Sequence, residues 1–427
     1  MRNAPSKPIT DRVYSNGLFH GLPVLDAIKG QSAIVAGANG ISGVHMLRIL
    51  SKAPERWSEI HSLSRRPLQE NFGENVKHTA VDFLDTSPEE IAEKLKEGNV
   101  KGDYVFFFAY VQPREEGQGL WSMAEKMCEV NGKLLSNFLA ALTIADIHPK
   151  RIILQTGAKH YGYHLGPAKC PSHETDSRVD IEPNFYYTQE DILEKWCNEN
   201  NCTWSVARPS FILGSVQGNA MNVAIPLGIY AAVQKALGRN LHFPGDIRAW
   251  DTIQDQSSAY LNAYFEEWCA LSESCDNESF NLTDGSPFSY GKFWPKLAER
   301  YGLEYTKPSE KGVYQKVDMP YDPPPRGFGP PGVAKMSFTL AQWARAPEVQ
   351  EAFNKLAKEQ GLDTWAMKEE NIDAVFSFTD YAICWSWPLM LSMDKARKYG
   401  FFGFVDSYDS YLATFEEAAE MKLIPKV

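Results

Sequence analysis

Residues 32–43, SAIVAGANGISG, decide the fold of this chain. The first half is an apolar run typical of a buried strand. The second half places Gly37, Gly40 and Gly43 in the spacing G-x-x-G-x-x-G at the start of a helix. Glycine permits the tight turn and the close approach of a pyrophosphate, and the helix N-terminus adds amide hydrogens and partial positive charge. The stretch therefore predicts a dinucleotide-binding turn, with a plain strand-to-helix connection as the alternative.

The alternation of strand and helix continues as far as Pro209. Further short strands are predicted at 59–65, 78–83, 104–111, 151–157 and 203–210. Helices are predicted between them at 89–98, at 120–145 and after Asn184. This order predicts a parallel sheet that is covered by helices on both faces. The expected fold class is therefore α/β, with a doubly wound parallel Rossmann sheet.

The ends of the second and third predicted strands indicate which nucleotide is bound. The end of the second strand, predicted at 59–65, carries Ser64, Arg65 and Arg66 where an NAD site would carry an acid. Guanidinium groups match a 2′-phosphate, so the pair predicts NADPH, with a solvated loop as the alternative. Asp82 and Phe83 end the third strand and are expected to meet the adenine ring, unless they form an ordinary strand end.

The pattern changes after Pro209. Helices are predicted at 220–237, 257–270, 292–301 and 338–361. Residues 320–332, PYDPPPRGFGPPG, are rich in proline and glycine, which predicts an exposed loop. Three parts are expected: an N-terminal extension (1–30), an NADP-binding Rossmann domain (31–215), and a smaller, mostly helical substrate-binding region (216–427) interleaved with it.

Composition narrows the classes of function. The chain has 427 residues, 44% of them hydrophobic, and a net charge of −11, which disfavours binding to nucleic acid or to an anionic membrane. Its apolar segments are too short to cross a bilayer, and its first residues lack the apolar run of a signal peptide. The seven scattered cysteines suit neither a disulfide framework nor a metal site. We expect a cytoplasmic protein without a metal.

The stretch NFYYTQEDI at 184–192 raises the question of the proton donor. If the bound dinucleotide serves a reductase, the enzyme needs a proton donor at the substrate carbonyl oxygen. A phenol whose pKa is lowered by a nearby cation can serve as that donor. Tyr186 and Tyr187 stand at a predicted helix start, but the residue four positions after Tyr186 is Glu190 and not lysine. Lys159 follows the predicted strand 151–157, at the edge where ligands bind in doubly wound sheets. It is either this cation or a surface lysine.

The segments TGAKHYGYHLGP and NFYYTQED together resemble the paired signatures of the progesterone 5β-reductase/iridoid synthase-like enone reductases. These are atypical members of the extended short-chain dehydrogenase/reductase superfamily. WSVARPSFILG, FWPKLAERYG and MDKARKYGFFGFVDS continue the likeness, which covers residues 31–310 and 380–425. Residues 311–350 have no counterpart that can be aligned, so the resemblance does not carry the substrate over.

The resemblance implies roles for individual residues. The catalytic lysine and tyrosine fall on Lys159 and Tyr186, which also contact the cofactor, and Tyr187 becomes a structural neighbour. Glu190 then needs no catalytic role and only decorates the first turn of its helix. Backbone near Ile212 is expected to meet the nicotinamide amide. The remaining positions expected to line the cofactor are Asn39, Ile41, Tyr110, Thr156 and Pro209.

The reaction implied by the resemblance is the reduction of the C=C bond of an α,β-unsaturated carbonyl compound. Hydride from NADPH reaches the β-carbon, and the Tyr186 hydroxyl stabilises the enolate oxygen beside the charge of Lys159. The expected partner is a small, hydrophobic, enone-type substrate, and a homodimer is one option for assembly. The alternatives are a carbonyl reductase, epimerase or cyclase on the same scaffold, and an NADP sensor without catalysis.

Overall fold

The computed structural model of the protein describes residues 12–113 and 123–426. Residues 1–11 of the predicted N-terminal extension and 120–122 of a predicted helix lie outside the described residues. In chain order the strands are β1 (Val13–Asn16), β2 (Phe19–Pro23), β3 (Gln31–Ala36), β4 (Trp57–Ser64), β5 (Val76–Ala80), β6 (Tyr104–Phe107), β7 (Arg151–Gln155), β8 (Thr203–Pro209), β9 (Phe211–Leu213), β10 (Leu241–His242), β11 (Gln256–Ser258), β12 (Glu278–Leu282), β13 (Tyr305–Thr306), β14 (Gln315–Asp318) and β15 (Val333–Met336).

Helices connect and flank these strands. They are α1 (Ile41–Leu50), α2 (Pro88–Glu97), α3 (Ala124–Ile144), α4 (Phe185–Glu199), α5 (Ala224–Ala236), α6 (Ile247–Asp251), α7 (Ala259–Leu271), α8 (Tyr290–Tyr301), α9 (Leu340–Ala344), α10 (Pro347–Gln360), α11 (Glu369–Cys384), α12 (Asp394–Tyr399) and α13 (Ser407–Glu420). In the described part of the chain, none of them is long and apolar enough to cross a membrane.

The central sheet has seven parallel strands in the order β12-β8-β7-β6-β3-β4-β5. The chain winds outward from β3 in one direction and then from β6 in the other. The two strands therefore flank the topological switch point, where ligands bind at the carboxyl ends of doubly wound sheets. This order confirms the predicted fold class.

Each face of the sheet is buried by its own helices. On one face α1 packs on α7, and their apolar side chains, such as Leu47 and Trp268, join a fully buried cluster with β3. On the other face α2, α3 and α4 pack side by side, burying side chains such as Phe138 and Leu193. This double cover explains why the sheet strands read as nearly continuous apolar runs.

The region after residue 215 contributes to the sheet and also builds a helical core of its own. Strand β12 and helix α7 complete the sheet, so the two predicted parts are interleaved in the structure. Helices α5, α8, α9, α10, α11 and α13 surround a separate large apolar cluster. The antiparallel hairpin β14–β15 frames the proline-rich loop at 320–332.

Three predicted elements have the wrong extent. The third strand, predicted at 78–83, is β5 at Val76–Ala80, so Asp82 and Phe83 follow the strand and do not end it. Strand β6 ends at Phe107 and not at residue 111, because the chain turns away to meet the buried side chain of Asn131, which bonds both backbone groups of Val111. The helix predicted at 338–361 is two helices, α9 and α10. Ala346 between them is extended, as the residue before a proline tends to be, and Pro347 begins the second helix.

The described residues of the N-terminal extension, 12–30, contain regular structure that the sequence did not predict. Its described residues form the hairpin β1–β2, which has no clear apolar periodicity because β1 is exposed throughout. His20 exchanges backbone hydrogen bonds with Phe404 at 3.0 and 2.9 Å. The hairpin is thus held to the C-terminal part of the chain.

Candidate active site

The glycine turn, residues 37–43, joins β3 to α1. Gly37 has a φ of +83°, and a Cβ atom there would lie 2.7 Å from the backbone nitrogen of Ala109. A Cβ atom at Gly43 would lie 2.7 Å from the Cα of Ala38, so both glycines are required by close packing. A Cβ at Gly40 would meet nothing closer than 3.4 Å. The turn is therefore tight toward the sheet and open at Gly40.

The N-terminus of α1 fits a pyrophosphate. Gly40 is its N-cap and has no side chain to bond the first amides, and Ile41 begins the helix. The first amide hydrogens of a helix have no partner within the helix, and the helix dipole favours an anion beside them. The residues present thus fit the phosphate groups of a dinucleotide.

Asn39 and Ser64 hold the loop after β4 against the glycine turn. The Asn39 amide donates to Ser64 Oγ at 3.1 Å and to the carbonyl oxygens of Arg66 and Pro67 at 2.7 and 3.1 Å. Ser64 Oγ donates to the same Arg66 carbonyl at 2.8 Å. These bonds place Arg65 and Arg66 next to the turn, which is a structural role that the sequence reading did not assign to Asn39.

The residues predicted to contact the adenine ring and those predicted to contact the 2′-phosphate have different surroundings. The Arg65 side chain is 69% exposed, with its guanidinium 4.0 Å from the Asp82 carboxylate. Asp82 Oδ1 accepts from the backbone amide of Leu84 at 2.9 Å. The Phe83 ring is buried against Phe107, so a contact with adenine would have to come from its backbone. Arg65 remains accessible to a phosphate.

Lys159 lies in the first of two short 3₁₀ turns, Ala158–Tyr161, directly after β7. It is only 9% exposed, so the alternative of a surface lysine is wrong. Its ammonium lies 5.2 Å from the centroid of the Phe185 ring. Burial lowers the pKa of Lys159 to about 8, although the nearby Glu182 carboxylate acts in the opposite direction.

The two adjacent tyrosines differ in what holds their hydroxyl groups. Tyr187 donates to the His160 carbonyl oxygen at 2.5 Å and accepts from the Val179 amide at 2.9 Å. The Tyr186 hydroxyl instead lies at the carboxyl edge of the sheet, 3.1 Å from where a Cβ at Gly157 would stand. Tyr187 thus has a structural position, and Tyr186 faces the glycine that follows β7.

The pKa of Tyr186 differs in direction from the sequence-based prediction. The sequence reading expects a phenol with a lowered pKa, whereas burial raises the pKa of Tyr186. The reason is that a phenolate is poorly solvated there, which favours the neutral form. At neutral pH the hydroxyl is therefore protonated and can donate a hydrogen bond.

Two residues that the sequence reading missed bring the site together. The centroid of the Phe185 ring lies 4.3 Å from that of Tyr186 and 5.5 Å from that of Tyr110. The same ring also contacts the Lys159 ammonium. Asn184 caps α4 by accepting from the Tyr186 amide at 3.1 Å, and it donates to the Lys159 carbonyl at 3.1 Å. An asparagine before a helix is a recognisable capping signal.

The loops after β6, β7 and β8 complete this edge. The Tyr110 hydroxyl donates to Gln112 Oε1 at 2.5 Å. Thr156 is buried, and its amide donates to the Ala207 carbonyl at 2.8 Å. A Cβ at Gly157 would lie 3.4 Å from the Pro209 carbonyl. The predicted residues Thr156 and Pro209 thus lie beside Tyr186.

Ile212 lies just beyond that edge. It is in β9 and pairs with Ser257 of β11, outside the central sheet. Its side chain is half-buried. The structure thus places Ile212 in the chain segment that follows Pro209, and its predicted contact with the nicotinamide remains a prediction.

Glu190 does more than decorate the helix, so that prediction is wrong. Its carboxylate lies 3.2 Å from the Arg208 guanidinium and 3.2 Å from His160 Nδ1, and its side chain is only 11% exposed. Burial alone would raise the pKa of Glu190. The contact with His160 and the charge of Arg208 outweigh burial and hold that pKa at about 2. The ion pair between Glu190 and Arg208 joins α4 to β8.

A parallel sheet with a glycine turn at its switch point defines a Rossmann fold of the kind that binds dinucleotides. The PRISE-like Rossmann-fold domain matches residues 33–319, and the chain belongs to that family. The resemblance to progesterone 5β-reductase/iridoid synthase-like proteins is thereby confirmed. Among the described residues, no group of three or more His, Cys, Asp or Glu side chains could hold a metal ion.

Relatives match nearly the whole chain. An uncharacterised protein of Schizosaccharomyces pombe is 33% identical over 424 residues, covering 94% of this chain and 100% of its own. The (S)-8-oxocitronellyl enol synthase of Nepeta cataria is 30% identical, covering 92% and 93%. The 3-oxo-Δ4,5-steroid 5β-reductase of Arabidopsis thaliana is 28% identical, with the same coverage of 92% and 93%.

Solved structures share the fold. The Bordetella bronchiseptica enzyme WbmG, solved in complex with NAD, superposes with a TM-score of 0.56 and 11% identity. The match covers 94% of this chain and 98% of that protein. At such low identity the likeness concerns the fold alone.

Proposed function

We propose that the protein is an NADPH-dependent reductase of the C=C bond of α,β-unsaturated carbonyl compounds. The observation that carries this proposal is the placement of Tyr186 and Lys159 around the Phe185 ring, at the edge that begins with the glycine turn. Family membership supports it. One relative is named as a reductase of a 3-oxo-Δ4,5-steroid, which is itself an α,β-unsaturated ketone.

The residues that would hold NADPH are distributed along the switch point. The glycine turn and the first amides of α1 would bind the pyrophosphate, and Arg65 with Arg66 would bind the 2′-phosphate. When bound, the cofactor supplies the hydride. Lys159 follows the carboxyl end of β7, and Tyr186 lies in the first turn of α4. Both lie toward the same edge of the sheet.

Tyr186 and Lys159 act on the carbonyl oxygen of the substrate. As the β-carbon gains a hydride, negative charge develops on that oxygen. The protonated Tyr186 hydroxyl donates a hydrogen bond to it, and Lys159, with a pKa of about 8, is mostly charged at neutral pH and adds positive potential. The α-carbon then takes its proton from solvent.

Turnover with a panel of substrates tests the proposal. The protein is mixed with NADPH and small enones, and with the matching saturated ketones, and the absorbance of the reduced nicotinamide is followed. We expect oxidation with enones and none with saturated ketones. Reaction with the ketones alone would make the protein a carbonyl reductase. Conversion without net oxidation would indicate an epimerase or cyclase, and binding without turnover a sensor.

A further inference from the structure

Gly157 lies between β7 and the 3₁₀ turn that contains Lys159. It is the N-cap of that turn, and its φ of 168° is extended backbone that any residue adopts. Gly162, at the other end of the same turn, has a φ of +81°, in the left-handed region that favours glycine. Backbone conformation therefore explains the glycine at 162 and does not explain the one at 157. The reason for Gly157 has to lie in what surrounds its Cα atom.

The Tyr186 hydroxyl rests against the bare Cα of Gly157. A Cβ atom there would lie 3.1 Å from the Tyr186 hydroxyl oxygen, 3.6 Å from Cε2 of the same ring and 3.4 Å from the Pro209 carbonyl oxygen. Two of these three nearest atoms belong to Tyr186. The distance to the hydroxyl is shorter than ordinary van der Waals contact, so a side chain at 157 and the hydroxyl would compete for the same space.

The groups around this contact differ in how easily they can move. The Pro209 carbonyl belongs to β8, a strand with a neighbour on each side in the central sheet. The backbone of Tyr186 is held by the Asn184 side chain, which accepts from its amide at 3.1 Å. The Tyr186 hydroxyl, in contrast, has no hydrogen-bond partner among the described residues, so packing sets its position. An added side chain at 157 would therefore displace the hydroxyl first.

We propose that Gly157 is a positioning residue for Tyr186: because it has no side chain, the hydroxyl can lie against the end of β7, directly before the turn that contains Lys159. The proposal rests on the proposed function only in assigning Tyr186 the role of hydrogen-bond donor to the substrate. A misplacement of about 1 Å can cost about 100-fold in rate. A methyl group that moves the hydroxyl by part of that distance should therefore lower kcat by about 10-fold.

Gly157→Ala tests this position in steady-state kinetics. We expect kcat to fall by about 10-fold, with little change in the affinity for NADPH or in the free energy of unfolding. The matched control is Gly132→Ala in α3, where a Cβ would also lie 3.1 Å from a side chain of α4, in this case Cγ2 of Thr188. The control should leave kcat unchanged, and an equal fall of kcat in both variants would overturn the proposal.

A double-mutant cycle separates positioning of the hydroxyl from a general structural role. Tyr186→Phe removes the oxygen that the added methyl would meet, so Gly157→Ala should lower the residual kcat no further in the Tyr186→Phe background. If Gly157→Ala destabilises the protein, Tyr186→Phe should restore the lost stability for the same reason. A full additional loss of kcat or of stability in the Tyr186→Phe background would show that the glycine does not act through the hydroxyl, and would overturn the proposal.

A measurement without substrate makes the proposal independent of turnover. Tyrosines are labelled with carbon-13 at Cζ, and the Tyr186 signal is assigned by its loss in Tyr186→Phe. We expect Gly157→Ala to shift this signal and Gly132→Ala to leave it in place. A shifted signal without enone reduction by the wild type would contradict the proposed function alone. Enone reduction together with an unmoved signal in Gly157→Ala would contradict the role of Gly157 alone.

Discussion

The glycine turn and the 3₁₀ turn at Ala158–Tyr161, which contains Lys159, lie at the same edge of the sheet but are built in different ways. At the glycine turn, backbone geometry shapes the site: Gly37 and Gly43 allow close packing, and the N-cap Gly40 makes no side-chain bond to the first amides of α1. Around Lys159, side chains from other segments shape the site, such as the Phe185 ring, whose centroid lies 5.2 Å from the ammonium. The first region depends on local sequence and the second on how segments pack, so substitutions should act differently in each.

Tyr186→Phe should have the largest effect. Losing one preorganised donor to a developing oxyanion lowers kcat by about 100- to 1000-fold. Tyr187→Phe should leave kcat much closer to the wild type, because its hydroxyl is bonded to backbone groups of His160 and Val179. It should instead lower the free energy of unfolding by about 1 kcal/mol. Steady-state kinetics and denaturant unfolding distinguish the two, and the opposite order would show that Tyr187 is the donor.

Glu190→Gln should have the next largest effect, on stability. It leaves the buried Arg208 without its carboxylate and should cost about 3 kcal/mol in the free energy of unfolding. Because the folded pKa of about 2 lies below the ordinary 4.5, the stabilisation is present above pH 4.5 and is lost as the pH falls toward 2. Urea unfolding across this pH range should therefore show a shallower acid dependence in the variant.

The control for Glu190→Gln is Glu194→Gln. Glu194 is exposed on the same helix, so its substitution should change the free energy of unfolding by less than about 0.5 kcal/mol. If the two variants lose equal stability, or if the acid dependence is the same in Glu190→Gln and the wild type, then the pair does not fasten α4 to β8 as the structure indicates.

Gly43→Ala should reveal the steric demand of the glycine turn. A Cβ there meets the Cα of Ala38 at 2.7 Å, and backbone cannot give way cheaply, so about 1–3 kcal/mol of stability should be lost. Gly40→Ala has room and should be much less destabilising, yet it should weaken NADPH binding because the added methyl stands on the open side. Thermal unfolding and cofactor titration measure both effects. Equal destabilisation would contradict this division between fold and cofactor.

The sequence predicts the first region better than the second, for a physical reason. The strands and the glycine turn follow from short-range patterns, since apolar runs and glycine spacing act on neighbouring residues. Tyr321 and Glu182 are 139 residues apart, and only packing brings them together. The sequence around Glu190 predicts an acid on the surface of a helix, because no residue near it in the sequence indicates the ion pair with Arg208. Lys159 and Tyr186 were found by family motifs, which record the packed arrangement indirectly.

Arg65→Gln combined with Arg66→Gln should change cofactor binding alone and should sharpen the nucleotide assignment. Losing the charged donors to a 2′-phosphate should weaken NADPH binding by about 10- to 100-fold, because exposed charges are partly screened by water and salt. NADH binding should change little, since it lacks that phosphate. Lys96→Gln with Lys101→Gln removes two exposed charges elsewhere and serves as the control. Fluorescence titration gives all the affinities, and equal losses for NADPH and NADH would place the arginines outside the nucleotide site.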